Sequence, residues 1–182
     1  MKIKTIDDLE ELAKIGRTQI NCDKPRLIFG LGTCGIASGG QSLMTYAFNF
    51  LKKIGVDVEI TTVGCIGLCH AEPLVDVELP GKPRVTYRDV DEKKIKVIIE
   101  EHVVRGKPVA KYALGQITKE PTVNDHYPIL RENIWREIPE YQEIPFLSKQ
   151  IRIVLRNFGI INPDSIEQYG RTIPVHRRTC TG

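Results

Sequence analysis

Three of the five cysteines in this chain lie in two glycine-rich segments, each of which follows a predicted β-strand. Cys34 lies in G-T-C-G-I-A-S-G-G, whereas Cys65 and Cys69 lie in the later segment T-V-G-C-I-G-L-C-H-A-E-P. Loops that follow neighbouring parallel strands leave a sheet at the same edge, so we expect the three sulfur atoms to converge there. Grouped thiolates on such loops are typical ligands of iron–sulfur clusters and of zinc ions.

The spacing of apolar residues predicts an α/β domain in the first part of the chain. The predicted elements are an N-terminal helix at residues 5–18, a strand at 26–30, a helix at 41–54, a strand at 58–63, a hairpin at 74–79 and 84–87, and a helix at 91–103. Strand, helix, strand, hairpin and helix is the order of the thioredoxin fold. We therefore expect residues 1–107 to form a thioredoxin-like domain with a mixed four-stranded sheet flanked by helices.

Prolines recur after Lys107, which favours an extended C-terminal arm. Proline at these intervals prevents long regular elements. We expect residues 108–182 to form this arm, with one or two short helices, one at 145–158 and one after Asn162. The arm has too few apolar residues to order itself, so its aromatic residues are expected to pack on the domain or on a partner.

The composition argues against several classes of partner and cellular location. The net charge of +3 over 182 residues does not favour nucleic-acid binding. No apolar run approaches the roughly 20 residues that a membrane span needs, and the charged N-terminus does not resemble a signal peptide. An odd number of cysteines argues against a secreted disulfide framework. We therefore expect a cytoplasmic protein that has no membrane span.

Other chemistries of the cysteine segments remain open at this point. His70 would complete a Cys₃His zinc site with Cys34, Cys65 and Cys69, although structural zinc ligands are usually separated by two to four residues and His70 directly follows Cys69. A thiol–disulfide function is a further alternative, but Cys65 and Cys69 are one residue too far apart for a C-x-x-C motif. The glycine-rich loop around Cys34 matches a dinucleotide fingerprint only weakly. Cys22 precedes the first strand and is expected at the opposite edge of the sheet.

With these residues in view, the chain from about residue 26 to 109 resembles the thioredoxin-like 2Fe–2S ferredoxin domain. That domain is fused ahead of the flavin-binding subunit of NADH dehydrogenases and of NAD-linked, often electron-bifurcating, hydrogenases. The resemblance continues through residues 145–169, which look like the lead-in to the flavoprotein domain. It implies electron transfer through a 2Fe–2S cluster held by Cys34, Cys65 and Cys69. It also implies flavoprotein and other oxidoreductase or hydrogenase subunits as partners, or a homodimer.

Two departures from the family pattern qualify these expectations. The family supplies two cysteines from the loop after the first strand, whereas this chain has only Cys34 there, so the fourth ligand is not identified. The flavoprotein domain should begin after Tyr169 and does not, so we expect no FMN or NAD site in this chain. The sequence thus predicts an oxidoreductase subunit without a complete active site of its own. It is either an electron-transfer module or a cluster-less docking subunit.

Overall fold

The computed structural model describes residues 5–8, 22–120, 129–132 and 134–151. Of the predicted N-terminal helix, only residues 5–8 are among these, and residues 6–8 are helical. The remainder of that helix, the predicted helix after Asn162 and Cys180 lie outside the described residues. Residues 22–120 contain the whole of the predicted α/β unit.

A five-stranded mixed sheet forms the centre of the fold. Its strands are β1 (Arg26–Gly30), β2 (Glu59–Val63), β3 (Val75–Glu78), β4 (Arg84–Tyr87) and β5 (Ala113–Ile117). They are arranged in the order β2–β1–β3–β4–β5, with β1 and β2 parallel and every other neighbouring pair antiparallel. A parallel β1–helix–β2 crossover followed by an antiparallel β3–β4 hairpin and a helix is thioredoxin-like topology. The expected fold is therefore confirmed.

Helices α2 (Gly40–Ile54) and α3 (Glu92–Ile98) pack on one face of this sheet, and α3 continues as a π-helical turn at Ile99–Val104. The short helix α1 (Thr33–Ala37) precedes α2 and packs against the end of β1. Gly55, with a φ of 70°, ends α2, and the Asp91 side chain caps α3 by accepting a hydrogen bond from the Lys94 amide. Apolar side chains from both layers make the main core: Leu27, Phe29, Leu43, Ala47, Leu51, Val75, Val77, Val85, Tyr87, Ile95, Ile98 and Ile99.

The fifth strand is a difference from the expected four-stranded sheet. β5 comes from the segment assigned to the arm and pairs with β4 along its outer edge. This pairing satisfies backbone groups on β4 that would otherwise form an open edge. Two very short strands, β6 (Lys119–Glu120) and β7 (Ile129–Leu130), follow as an antiparallel pair. The first part of the arm is thus continuous with the domain.

In two segments the helical content of the structure differs from the prediction. The glycine-rich loop at 30–40 contains α1, so Cys34 lies on a short helix rather than on a loop. Of the predicted helix at 145–158, the described residues 145–151 contain α4 (Pro145–Ser148), which ends at Lys149. Residues 152–158 lie outside the described part. Within that part, no helix has the length and apolar character that a membrane crossing requires.

Candidate functional site

Cys65 and Cys69 form a close thiol pair in the loop between β2 and β3. Their Sγ atoms are 3.7 Å apart, and the Gly67 amide donates a hydrogen bond of 3.2 Å to the Cys65 Sγ. Gly67 has a φ of 82°, a conformation that favours glycine, and it turns the chain between the two cysteines. Two thiolates on one tetrahedral metal ion, with metal–sulfur bonds of about 2.3 Å, lie about 3.8 Å apart. The pair therefore has the spacing of two ligands on one ion.

Cys34 belongs to the other cysteine segment. It lies in the first turn of α1, two residues after Gly32, which contacts Cys65. A Cβ built on Gly32 would stand 2.6 Å from the Cys65 Cβ, so the two segments touch only because residue 32 has no side chain. Among the described residues, however, no three His, Cys, Asp or Glu side chains are grouped as metal ligands. A joint role of all three cysteines stays a prediction.

Two other sequence candidates lie apart from this pair. Cys22 is buried near Glu78 and Arg26, which face each other at the far end of β1 and β3. Burial and, to a smaller extent, the nearby Glu78 raise the pKa of the Cys22 thiol to about 11, while Arg26 and Arg131 oppose the rise. His70 is exposed, and its ring contacts the Phe146 ring edge-on with centroids 5.3 Å apart. Neither residue supplies a third ligand here.

The environment of Cys65 disfavours an uncompensated thiolate. Burial raises the pKa of the Cys65 thiol, the hydrogen bond from Gly67 opposes that effect, and the neighbouring Cys69 and Glu72 raise the pKa further. A positive ion bound between the two sulfur atoms would instead favour the thiolate form, because coordination to a metal deprotonates thiols. The pair is therefore suited to a cation and poorly suited to a free thiolate.

The arm packs directly on the cysteine loop. Leu147 of α4 is buried against Leu68, Ala71 and Leu74, with Ile66, Leu114, Tyr141 and Ile144 around them. Leu68 and Ala71 flank Cys69 in the chain, so this small apolar cluster fixes the backbone from which the thiol projects. The sequence indicated that the arm needs a packing surface, but it did not identify this one.

Glu72 is a buried carboxyl group that the sequence analysis did not single out. It follows the thiol pair in the chain and is only 9% exposed. Its Oε2 accepts a hydrogen bond of 2.8 Å from the Leu74 amide. Burial raises the pKa of this carboxyl group, the hydrogen bond from Leu74 opposes the rise, and Asp76 adds to it. An acidic residue between Ala71 and Pro73 in an apolar stretch is the only sequence signal of this arrangement.

Fold and site together define a thioredoxin-like α/β protein with a cysteine loop beside the first strand. No family model matches the chain. The subunit HndB of the NADP-reducing hydrogenase from Solidesulfovibrio fructosivorans is 37% identical to it over 98 residues, which are 53% of this chain and 72% of HndB. The chain therefore belongs to the protein family of HndB, which confirms the expected resemblance to subunits of NAD(P)-linked hydrogenases.

Solved structures of thioredoxin-like [2Fe-2S] ferredoxin from Aquifex aeolicus are also similar to the chain. One matches at 18% identity with a TM-score of 0.45 and covers 52% of this chain and 94% of the ferredoxin. The wild-type ferredoxin at 1.5 Å resolution matches at 18% identity with a TM-score of 0.44 and covers 52% and 99%.

Proposed function

We propose that the protein is an electron-transfer subunit of an NAD(P)H-linked hydrogenase or dehydrogenase complex. In this proposal Cys65 and Cys69 hold one iron of a 2Fe–2S cluster, and Cys34 binds the second iron together with a ligand still to be found. The 3.7 Å separation of the Cys65 and Cys69 sulfur atoms is the observation that carries it. Membership of the HndB family supports the class of complex. The partners would be the flavoprotein and other subunits of that complex.

The residues of the chain have separable roles in this proposal. A bound cluster would supply the one-electron redox step. The Gly67 amide donates to the Cys65 sulfur, and such donors stabilise negative charge on ligating sulfur atoms. Gly32 lets the Cys34 segment approach Cys65 closely, and the apolar cluster around Leu147 keeps the cysteine loop in place. Cys69 and His70 remain exposed, which suits electron exchange with a partner at this edge of the sheet.

The test is anaerobic purification followed by counting of iron and acid-labile sulfide. We expect two irons and two sulfides per chain, with the visible absorption and the reduced-state EPR signal of a cysteine-bound 2Fe–2S cluster. Cys34→Ser, Cys65→Ser and Cys69→Ser should each lower the iron content or alter the EPR spectrum. Cys22→Ser is the matched control, because Cys22 is buried at the opposite end of β1 and should leave both unchanged.

A cluster-less docking subunit is the second candidate function. The observation in its favour is that no group of three metal-binding side chains occurs within the described ranges. A folded, colourless chain that lacks iron but still binds the flavoprotein subunit would support this function and contradict the first. Zinc bound in place of iron, lost in Cys65→Ser and Cys69→Ser alike, would contradict both.

A further inference from the structure

A cavity of about 600 Å³ lies on the sheet face opposite the main helices. Ile28, Asp76 and Thr86, which are register partners on β1, β3 and β4, line its floor. Tyr141 and Leu147 from the C-terminal segment line it from the other side. The cavity extends along the sheet to Gly64 and Glu72, at the base of the cysteine loop. Solvent in the cavity can therefore reach a buried group directly beneath that loop.

The Glu72 carboxyl group lies between the cavity and the two cysteine segments. Its Oε1 is buried and has no hydrogen-bond partner in the described part of the chain. Its Oε2 would lie 3.5 Å from a Cβ on Gly30 and 3.3 Å from a Cβ on Gly35, the residue after Cys34. The carboxyl group therefore lies under α1, and its charge raises the pKa of the Cys65 thiol.

No cation neutralises Glu72 among the described residues. The charged and titratable groups that line the same cavity are Asp76 on β3, Arg84 on β4, Lys119 on β6, and Glu140, Tyr141 and Glu143 in the C-terminal segment. Of the two cysteine segments, Cys65 interacts with Glu72 electrostatically, and Cys34 precedes Gly35, the α1 residue next to the carboxyl group. Arg84 lies 3.7 Å from Asp76. A buried carboxylate without a cation is unfavourable, and negative charge placed nearby makes it more so.

We propose that Glu72 is a proton-binding site that responds to negative charge on the cysteine loop. When that charge grows by one electron, a proton from cavity water moves onto the Glu72 carboxylate, and it returns to the water when the electron leaves. In the proposed function, which this coupling deepens, the electron comes from the reduced partner subunit. Glu72 then holds the proton close to the cysteine loop. The potential at which this site accepts an electron therefore depends on pH.

The first experiment needs no bound metal. The full chain is labelled with ¹³C at glutamate side-chain carboxyl groups, and NMR follows the Glu72 signal, assigned as the resonance missing in Glu72→Gln, from low to neutral pH. The measurement is repeated in Cys69→Asp, which adds a negative charge at an exposed position of the loop, and in Cys69→Asn, its neutral isostere. We expect a higher Glu72 pKa in the Asp variant than in the Asn variant. Equal pKa values in the two variants would overturn the proposal.

A second measurement tests whether protonation of Glu72 is coupled to electron transfer. It also distinguishes a failure of the proton site from a failure of the proposed function. In the iron-loaded chain, the midpoint potential should fall with rising pH, at most by about 59 mV for each tenfold change in proton concentration. Glu72→Gln should flatten this slope, whereas Glu143→Gln, a matched change on the same cavity, should not.

An iron-loaded chain whose slope of potential against pH is unaffected by Glu72→Gln would refute the proton site alone. A chain that binds no iron but shows the charge-dependent Glu72 pKa would refute the proposed function alone. If Glu72→Gln does not fold, Glu72→Asp supplies the assignment, because its aspartate carries no label and the Glu72 resonance is again missing.

Discussion

Gly35 allows α1 to pack directly against the end of β1. A Cβ at this position would overlap the carbonyl oxygen of Gly30, a backbone atom that cannot rotate away. We expect Gly35→Ala to lower the free energy of unfolding by about 1–3 kcal/mol, as overpacking typically does, in urea denaturation. Gly30→Ala is the matched control, because its Cβ would make only ordinary contacts of 3.5–3.6 Å. Equal losses in both variants would contradict this steric account.

His102 makes the stability of the fold depend on pH. Its ring is fully buried, its Nδ1 shares a hydrogen bond of 2.9 Å with the Tyr87 hydroxyl group, and that hydroxyl oxygen accepts another from the Val109 amide. Burial lowers the pKa of His102 to about 3, and Lys82 contributes to this shift. The unfolded chain, with a histidine pKa of about 6.5, therefore binds a proton that the folded chain excludes.

The resulting loss of stability appears as the pH falls below about 6.5 and is complete near 3. Between pH 7 and pH 5 it should amount to about 2 kcal/mol, since one pKa unit corresponds to about 1.4 kcal/mol. Urea denaturation at several pH values should show that His102→Asn removes this part of the slope. The exposed His70 provides the control, since His70→Asn should retain the wild-type slope. A slope unchanged in His102→Asn would show that the ring is not held neutral.

At the level of secondary-structure elements, α4 acts on the cysteine loop through Leu147. This side chain is 7% exposed and fills the apolar cluster with Leu68, Ala71 and Leu74. Leu147→Ala should lower stability by about 2–4 kcal/mol, the usual range for a large-to-small change in a core. Hydrogen exchange should also accelerate at the amides of residues 66–71. Ile151→Ala changes a 91% exposed side chain of the same segment and should alter neither measurement. Unchanged exchange in Leu147→Ala would mean that α4 does not support the loop.

The elements that the sequence predicted well are those with a regular apolar period. The strand at 26–30 and the helix at 41–54 agree with β1 and α2 to within one residue, because their buried faces follow the strand and helix repeats. For the cysteines, the sequence predicted that Cys34, Cys65 and Cys69 converge; the structure places the Cys65 and Cys69 sulfur atoms 3.7 Å apart, and the part of Cys34 stays a prediction. Strand β5 was missed because A-L-G-Q-I has little alternation, and its pairing depends on an edge of β4 that only the tertiary fold presents.

Glu72 and the contact made by α4 were not predictable for a related reason. A glutamate in sequence is most often exposed, and its burial here follows from the close approach of Gly30 and Gly35, far away in the chain. The packing of Leu147 on Leu68 likewise joins residues that no local pattern relates. Local periodicity therefore predicted the scaffold, whereas the surroundings of the site depend on contacts between distant segments.

At the scale of the whole molecule, the domain core extends beyond residue 107. Ile138 is 2% exposed and belongs to the main core, and Trp135 packs against it. The fully buried Gln116 on β5 joins this segment to the sheet, since its side-chain amide donates hydrogen bonds to the carbonyl oxygens of Trp135 and Ile138. Backbone pairing of β4 with β5 and this amide together connect the arm to the thioredoxin-like unit.

Truncation measures how much of the stability this connection provides. A chain that ends at residue 107 lacks both β5 and the core contribution of Ile138. A chain that ends at residue 120 keeps β5 and lacks the contribution of Ile138. We expect urea midpoints to fall in the order full chain, chain to 120, chain to 107, because each step exposes apolar core surface and the last also leaves backbone groups of β4 unpaired. A chain ending at 151 separates these losses from any effect of residues 152–182. If the chain to 107 unfolded at the same midpoint as the chain to 151, residues 108–151 would add nothing to the stability of the fold, and the domain boundary predicted at 107 would stand.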